Sequence, residues 1–225
     1  MKKSYFLVLS LIVCLLLVSC TFDGDNNKKN TPAANQANQS STIRSQSPES
    51  IALEAYKKVL ENIATFINTE DKKPIKLNEF LGPDFEVTRF AVIDMDGDDV
   101  PEIIVESTIY NTILHYIDGE VYCYNFVHRG MKSIKTDGTF NFSSGASDSG
   151  YGRIRFTTDT YAIEVLGYSE SNWENNNQMI SFFIDNKSVT EEEFLSFANE
   201  QNSKEDVSWF DFNQENMNEH LLSHK

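Results

Sequence analysis

The first twenty residues differ in pattern from everything that follows them. Lys2 and Lys3 precede an apolar run over residues 5–18, and the run stops at Ser19-Cys20. A basic start, an apolar stretch and a small residue before the end are typical of an export signal. A membrane-spanning helix needs about 20 predominantly apolar residues, so this run is short for one. We therefore expect residues 1–19 to be a signal peptide.

The next segment has almost no large apolar side chains. Residues 21–47 are mainly Asn, Gln, Ser, Thr, Ala and Lys, which is too little hydrophobic surface to offset the entropy of ordering a chain. We expect a flexible tether over residues 20–47. A coil of this kind reaches roughly 5–6 Å times the square root of its length, which is some tens of ångströms and suits a Gram-positive cell wall.

Helical periodicity begins at Ser47-Pro48, where serine can cap a helix and proline can occupy its first position. The apolar residues that follow recur at the spacing of one helix face, which predicts an amphipathic helix packed against a core. These residues are Ala52, Tyr56, Val59, Leu60, Ile63, Phe66 and Ile67.

After Pro74 the chain changes to short segments rich in β-branched and aromatic residues, which predict strands. Asp118-Gly119 and Asp137-Gly138 are strong hairpin signals, and 158–160 and 185–186 are weaker turns. Successive hairpins indicate an antiparallel meander. The predicted strands are 86–93, 102–108, 112–117, 120–127, 132–136, 139–143, 152–158, 161–168 and 178–184.

Helical signals return near the end of the chain. Thr190 and Glu193 form a capping box ahead of Phe194, and a weaker helix is predicted over 214–222. The predicted fold class is therefore α+β, with an antiparallel meander sheet flanked by an amino-terminal amphipathic helix and carboxy-terminal helices. We expect residues 48–225 to form a single domain.

Charge and cysteine content restrict the function. Removal of Lys2 and Lys3 with the signal would leave 17 of the 19 basic residues against 34 acidic ones. Such an acidic chain is not expected to bind nucleic acid. A mature chain would keep Cys20 and Cys123, and acylation of the first leaves no disulfide partner. Cys123 lies between two tyrosines, which favours a small core residue over a nucleophile.

An acidic loop over residues 94–102 lies between two apolar strands. It carries five carboxylates, and the flanking strands contribute one basic residue, Arg89. A bound cation would supply the missing charge. The side chains of Asp94, Asp96, Asp98 and Glu102 and the carbonyl of Val100 present oxygen ligands only, and calcium prefers such a set.

Two resemblances follow from these residues. Leu17-Val18-Ser19-Cys20 resembles the bacterial lipobox, which implies that Cys20 carries diacylglycerol and anchors the chain on the outer face of the cell membrane. An uncleaved amino-terminal anchor is the alternative, and it also places the domain outside the cytoplasm.

The acidic loop resembles the calcium loops of FG-GAP repeats, D-x-D-G-D-G-x-x-E or D between two strands, although Asp99 stands where those loops have glycine. Val105 stands where an EF-hand needs glutamate, so the loop is not that motif.

The whole arrangement also looks like short lipoproteins of low-GC Gram-positive bacteria, with a signal, a polar tether, a helix, an aspartate-rich line and a final helix after 185–190. This similarity supports the architecture and implies no particular activity. We therefore expect a membrane-anchored extracellular lipoprotein that binds one structural calcium ion. Its expected role is binding or scaffolding at the surface, with a cell-surface protein or a glycan as partner.

Several alternatives remain open at this stage. The acidic loop is also consistent with a solvated turn that binds no metal. Residues 92–97 resemble the first motif of haloacid dehalogenase-type phosphatases, which would make Asp94 a nucleophile and Asp96 an acid and base, but the hairpin-rich remainder lacks the parallel sheet of that family. His220 and His224 have helical spacing for zinc, and four aromatic residues are candidates for a glycan or peptide platform: Tyr151, Tyr161, Trp173 and Trp209.

Overall fold

The computed structural model describes residues 46–222 except 85, 144, 146–147 and 175–176. The signal peptide, Cys20 and residues 20–45 of the tether lie outside this part of the chain, as does His224. The described α-helices are α1 (Pro48–Leu60), α2 (Leu77–Leu81), α3 (Glu191–Ser203) and α4 (Gln214–His220), and His128–Gly130 form a short 3₁₀ helix. The described strands are β1 (Phe66–Asn68), β2 (Lys73–Ile75), β3 (Val87–Ile93), β4 (Glu102–Ser107), β5 (Tyr110–Ile117), β6 (Glu120–Val127), β7 (Thr139–Ser143), β8 (Ser149–Phe156), β9 (Tyr161–Glu174), β10 (Asn177–Ile184), β11 (Lys187–Val189) and β12 (Phe210–Asp211).

Helix α1 begins as its sequence predicts and ends earlier. The hydroxyl oxygen of Ser47 accepts a hydrogen bond from the backbone N–H of Ser50 at 3.2 Å. The expected continuation of the helical face to Phe66 and Ile67 is wrong, because Asn62 has a left-handed backbone (φ 58°) that stops the helix. Phe66 and Ile67 belong instead to β1, which pairs with β2.

The first sheet contains seven of the described strands, in the order β12-β3-β4-β5-β6-β1-β2. Strands β3 to β6 form the predicted antiparallel meander, and β1 adds to it in parallel with β6. The predicted hairpin at Asp118-Gly119 is confirmed: both residues have positive φ, 53° and 92°, as a two-residue turn of this class requires.

The second sheet contains five of the described strands, in the order β11-β10-β9-β8-β7, and is antiparallel throughout. The predicted turns at 158–160 and 185–186 join its strands. Helix α3 packs on it through Phe194, whose ring centroid lies 5.2 Å from that of Phe182. The capping box of Thr190 and Glu193 at the start of α3 is confirmed.

The predicted strand over 132–136 is wrong. Lys132 and Lys135 make isolated bridges to Asn141 and Asp206, and Ser133 between them has a left-handed backbone (φ 46°) that breaks a regular ladder. Lys135 is 5% exposed, and its ammonium donates to the carbonyl oxygens of Asn202 (3.0 Å) and Lys204 (3.1 Å) at the end of α3. The contacts of Lys135 with the end of α3 therefore outweigh the strand-like pattern of this segment.

The first sheet is buried on both faces. Phe90, Ile103 and Leu114 face the core beneath α1, α2 and α4. Their neighbours along the strands, including Ile104 and Tyr124, face the second sheet. These two contacts place the first sheet between α1, α2 and α4 on one side and the second sheet on the other. Within the described residues, no helix has both the length and the apolar character needed to cross a membrane.

Candidate metal centre

The acidic loop connects β3 to β4 at one end of the first sheet and touches the second sheet. Nη1 of Arg155, on β8, donates a hydrogen bond to the carbonyl oxygen of Asp96 at 2.5 Å. Gly138 lies so close to the loop that a Cβ there would be 2.3 Å from the carbonyl oxygen of Met95. The loop is therefore held between the two sheets.

Asp94 organises the backbone of the loop. Its Oδ1 accepts hydrogen bonds from the N–H groups of Gly97 (2.7 Å) and Asp98 (3.2 Å), and its Oδ2 accepts one from Asp99 (3.1 Å). Aspartate commonly forms such turns with backbone donors that follow it. Gly97 and Asp99 both have left-handed backbones, with φ of 83° and 68°. Asp99 therefore has a backbone conformation that residues other than glycine seldom adopt.

Glu102, the first residue of β4, is fully buried. Its Oε2 accepts a hydrogen bond from the N–H of Met95 at 2.7 Å, and its Oε1 lies 2.9 Å from Nδ1 of His115. Burial raises the pKa of Glu102 to about 7, although its hydrogen bonds with His115 and Met95 act in the opposite direction. The carboxyl group is therefore costly to ionise unless a positive charge is near.

Asp94, Asp96 and Glu102 each contribute one carboxylate oxygen to a cluster, and these oxygens lie within 4.8 Å of one another. Calcium binds oxygen at 2.3–2.6 Å, so two ligands of one ion are at most about 5 Å apart. Oδ1 of Asp96 is buried and has no hydrogen-bond partner among the described residues. Burial raises the pKa of Asp96, and the negative charge of Asp98 adds to the effect. An oxygen of this kind suits a cation.

The structure separates the predicted ligands into two groups. Asp94, Asp96 and Glu102 form the cluster, whereas Asp98 accepts a hydrogen bond from the N–H of Val100 at 2.8 Å and lies outside it. Asp98 and Val100 thus shape the turn in this structure, and their role as calcium ligands stays a prediction.

Sequence reasoning missed His115 and Arg155, which form hydrogen bonds with residues of the loop. His115 meets Glu102 because β4 and β5 pair Ile103 with Leu114, and the sequence does not reveal that register. Arg89 makes a two-point ion pair with Glu106, with Nε to Oε1 at 2.7 Å and Nη2 to Oε2 at 2.9 Å.

The other candidate residues have separate surroundings. His220 stacks on Phe210 with 3.6 Å between ring centroids. Cys123 is buried and free, and burial raises the pKa of its thiol, which disfavours the reactive thiolate. Trp209 lies under Arg89, whereas Trp173 is 71% exposed on β9.

The other two residues of the predicted aromatic platform, Tyr151 and Tyr161, contact other aromatic side chains. Tyr151 contacts Phe197, and Tyr161 contacts Tyr124 and Phe126.

Strands β3 and β4 on either side of Asp94 are antiparallel neighbours, unlike the parallel sheet that a phosphatase of the haloacid dehalogenase type uses. We compared the chain with protein-family models, curated proteins and solved structures, and none of these comparisons found a match.

Proposed function

We propose that this protein is a membrane-anchored extracellular lipoprotein that binds one calcium ion in the acidic loop and serves as a binding or scaffolding module at the cell surface. The observation that carries the proposal is a cluster of carboxylate oxygens, one each from Asp94, Asp96 and Glu102, within 4.8 Å of one another. Oδ1 of Asp96, which is buried and has no hydrogen-bond partner among the described residues, supports it.

The donor set favours calcium over other metals. The clustered atoms are carboxylate oxygens, which hard cations prefer, and no cysteine belongs to the cluster. Magnesium requires stricter octahedral geometry and keeps several of its waters. Asp94, Asp96 and Glu102 would hold the ion, and Asp98 and the carbonyl of Val100 are the further ligands we propose. The ion would supply charge compensation.

A calcium ion in this loop would have a structural role. The loop contacts Arg155 of the second sheet and Gly138, which immediately precedes that sheet's β7, and Glu102 of the first sheet accepts a hydrogen bond from its backbone. Carboxylates that repel one another push such a loop open, and a bound divalent ion removes that repulsion. Calcium would therefore stabilise the contact between the sheets.

Asp94 is better explained as an organiser of the loop than as a phosphatase nucleophile. Both of its oxygens accept backbone hydrogen bonds, which stabilise the carboxylate and lower its nucleophilicity. In addition, β3, the strand before Asp94, pairs antiparallel with β4. A phosphatase of the haloacid dehalogenase type would have a parallel sheet here. We therefore do not favour phosphatase activity.

Calcium binding is expected in the millimolar range or tighter. Extracellular modules bind calcium at about 10⁻⁴–10⁻³ M, and calorimetry on the purified domain should show saturable heat together with a rise in melting temperature. Asp96→Asn should weaken binding at least about tenfold, because it removes the charge of a clustered ligand.

Asp99→Asn is the matched control for that experiment. It makes the same chemical change in the same loop, outside the cluster, and asparagine tolerates the left-handed backbone of Asp99. We expect it to change affinity by less than about threefold, as for a screened surface charge. Absence of a response to calcium up to several millimolar, or equal losses in both variants, would refute the site.

Membrane anchorage is expected to depend on Cys20. Cells that express the full chain and are fed labelled palmitate should incorporate the label, because the lipobox cysteine accepts the acyl chains. Cys20→Ser should abolish labelling, whereas Cys123→Ser should retain it, since Cys123 is buried in the domain. Labelling of Cys20→Ser at the level of the parent chain, or no labelling of the parent chain, would contradict lipidation at this residue.

A further inference from the structure

Strands β9 and β10 extend past the rest of the second sheet as a two-stranded ribbon. Strand β8 pairs with β9 only as far as Ser169, and β11 pairs with β10 only from Phe182 to Ile184. Beyond these points β9 and β10 continue to pair with each other, over residues 170–174 and 177–181. We call the side of β10 that faces away from β9, over residues 177–181, the open edge.

The ribbon carries three large apolar side chains that are exposed. Trp173 is 71% exposed, Met179 55% and Ile180 47%. Ile180 pairs with Ser171, two residues from Trp173, so Ile180 and Trp173 lie on the same face of the ribbon. Tryptophan is well buried on average, and neighbouring exposed apolar residues mark interaction sites. The ribbon is therefore a candidate interaction surface.

The backbone of the ribbon is satisfied on its β9 side and not on its β10 side. The N–H and hydroxyl of Ser171 both donate to Oδ1 of Asp148, at 2.7 and 2.9 Å. Just past β10, the N–H of Asp185 donates to the carbonyl oxygen of Leu166 on β9. Because these groups alternate along an antiparallel strand, the N–H and carbonyl of Ile180 point away from β9, to the open edge. Among the described strands, none pairs with β10 there.

The other edges of the two sheets are protected. Edge strands avoid pairing with other chains when they are short, when they carry lysine or proline, or when other segments cover them. Strand β2 contains Lys73 and Pro74, β12 has two residues, and β11 has three and starts with Lys187. On β7, Asn141 is bridged to Lys132. The open edge of β10 has none of these features, so it suits a partner strand.

We propose that the open edge pairs with the open edge of a second copy of this chain, antiparallel and about a twofold axis. Residues 177–184 contain no charged side chain, in a chain with 34 acidic and 19 basic residues. An edge without charge offers nothing to select a charged partner, and two copies of it meet without repulsion. Such pairing is isologous, because the same edge serves on both copies. It depends on neither calcium binding nor acylation of Cys20.

The twofold arrangement makes a geometric prediction about Ile180. When two five-residue edges overlap antiparallel, residue 180 of one copy is a diagonal neighbour of residue 180 of the other, about 7–8 Å away on the same face. The exposed Ile180 side chains of the two copies then contact each other. The dimer buries little surface, so we expect it to be weak in solution.

Sedimentation velocity of the full chain in detergent, over a series of protein concentrations, tests the pairing. The parent should form a dimer with Kd of the order of 10–100 μM. Ile180→Lys should weaken the dimer at least about tenfold, because two lysines become diagonal neighbours. Ile51→Lys makes the same change at an exposed isoleucine on α1, and it should change Kd by less than about twofold.

A charge-swap pair distinguishes a second copy from any other occupant. Ile180→Glu should be as monomeric as Ile180→Lys, whereas an equimolar mixture of the two should associate at least about tenfold more tightly than either alone. Ile180→Pro removes only the outward N–H, which an edge strand tolerates, and it should also abolish the dimer. Circular dichroism checks that each variant is folded.

Four results would overturn the proposal. They are a parent chain that stays monomeric at about 500 μM, Ile180→Lys dimerising like the parent, and a charge-swap mixture that does not associate. The fourth concerns a membrane as the occupant of the ribbon. In Trp209→Phe, which leaves Trp173 as the single tryptophan, quenching of fluorescence by vesicles of brominated phosphatidylcholine would place the ribbon in the bilayer, whereas the dimer predicts no quenching.

Discussion

In calcium-free buffer, the free energy of unfolding is expected to fall by about 2–3 kcal/mol as the pH rises from 4.5 to 7.5, through Glu102 alone. Burial raises the pKa of this carboxyl from 4.5 to about 7 in the folded protein. Between these values the folded protein binds the proton and the unfolded chain does not. Stability from this group is therefore complete below pH 4.5 and is lost as the pH approaches 7.

Glu102→Gln should remove this pH dependence. Glutamine has nearly the same shape, its oxygen can accept from the N–H of Met95, and its amide can take the place of the protonated carboxyl beside Nδ1 of His115. Urea unfolding of both proteins across this pH range measures the difference between their slopes. Saturating calcium should flatten the slope of the parent protein, because the ion favours the carboxylate. Parallel slopes for the two calcium-free proteins would show that Glu102 is not the titrating group.

Gly138→Ala is expected to destabilise the protein by about 2–5 kcal/mol. Gly138 has a φ of 78°, and an added Cβ would lie 2.3 Å from the carbonyl oxygen of Met95, next to the acidic loop. The substitution therefore strains its own backbone and displaces the loop from the second sheet. Urea unfolding measures the loss of stability, and calcium affinity should fall with it because Met95 adjoins Asp94 and Asp96.

Gly119→Ala separates backbone strain from steric clash. Gly119 also has positive φ, 92°, but a Cβ there meets nothing within 4 Å. Its substitution should cost about 1–2 kcal/mol, which is the strain contribution alone. Equal losses at Gly119 and Gly138 would mean that the contact between Gly138 and the loop is not tightly packed.

The β-meander could be predicted because its information is local. Asp118-Gly119 sets its own hairpin through two residues with positive φ, and β-branched residues define the flanking strands. Thr190 and Glu193 likewise cap α3 using atoms three residues apart. Four short strands were not predicted from the sequence: β1, β2, β11 and β12. Strands of this length show little periodicity in their sequence and depend on their partners in the sheets.

Predictions failed where a distant contact overrides a local pattern. The pattern of residues over 132–136 is typical of a strand, but the ammonium of Lys135 donates hydrogen bonds to carbonyl oxygens at the end of α3. Asn62 ends α1 although apolar residues continue at helical spacing. The sequence also could not show that β3 to β6 are covered on both faces, because that depends on how the second sheet packs against the first.

For the candidate metal centre, the set of carboxylates and the turn that carries them could be predicted from the sequence, since both belong to one short segment. The fold was needed to show that Asp94, Asp96 and Glu102 form a cluster, whereas Asp98 accepts a hydrogen bond from the backbone. The same holds for His115 and Arg155, which reach the loop from β5 and β8. Strand register and sheet packing bring these residues together, and both arise from contacts between residues far apart in the chain.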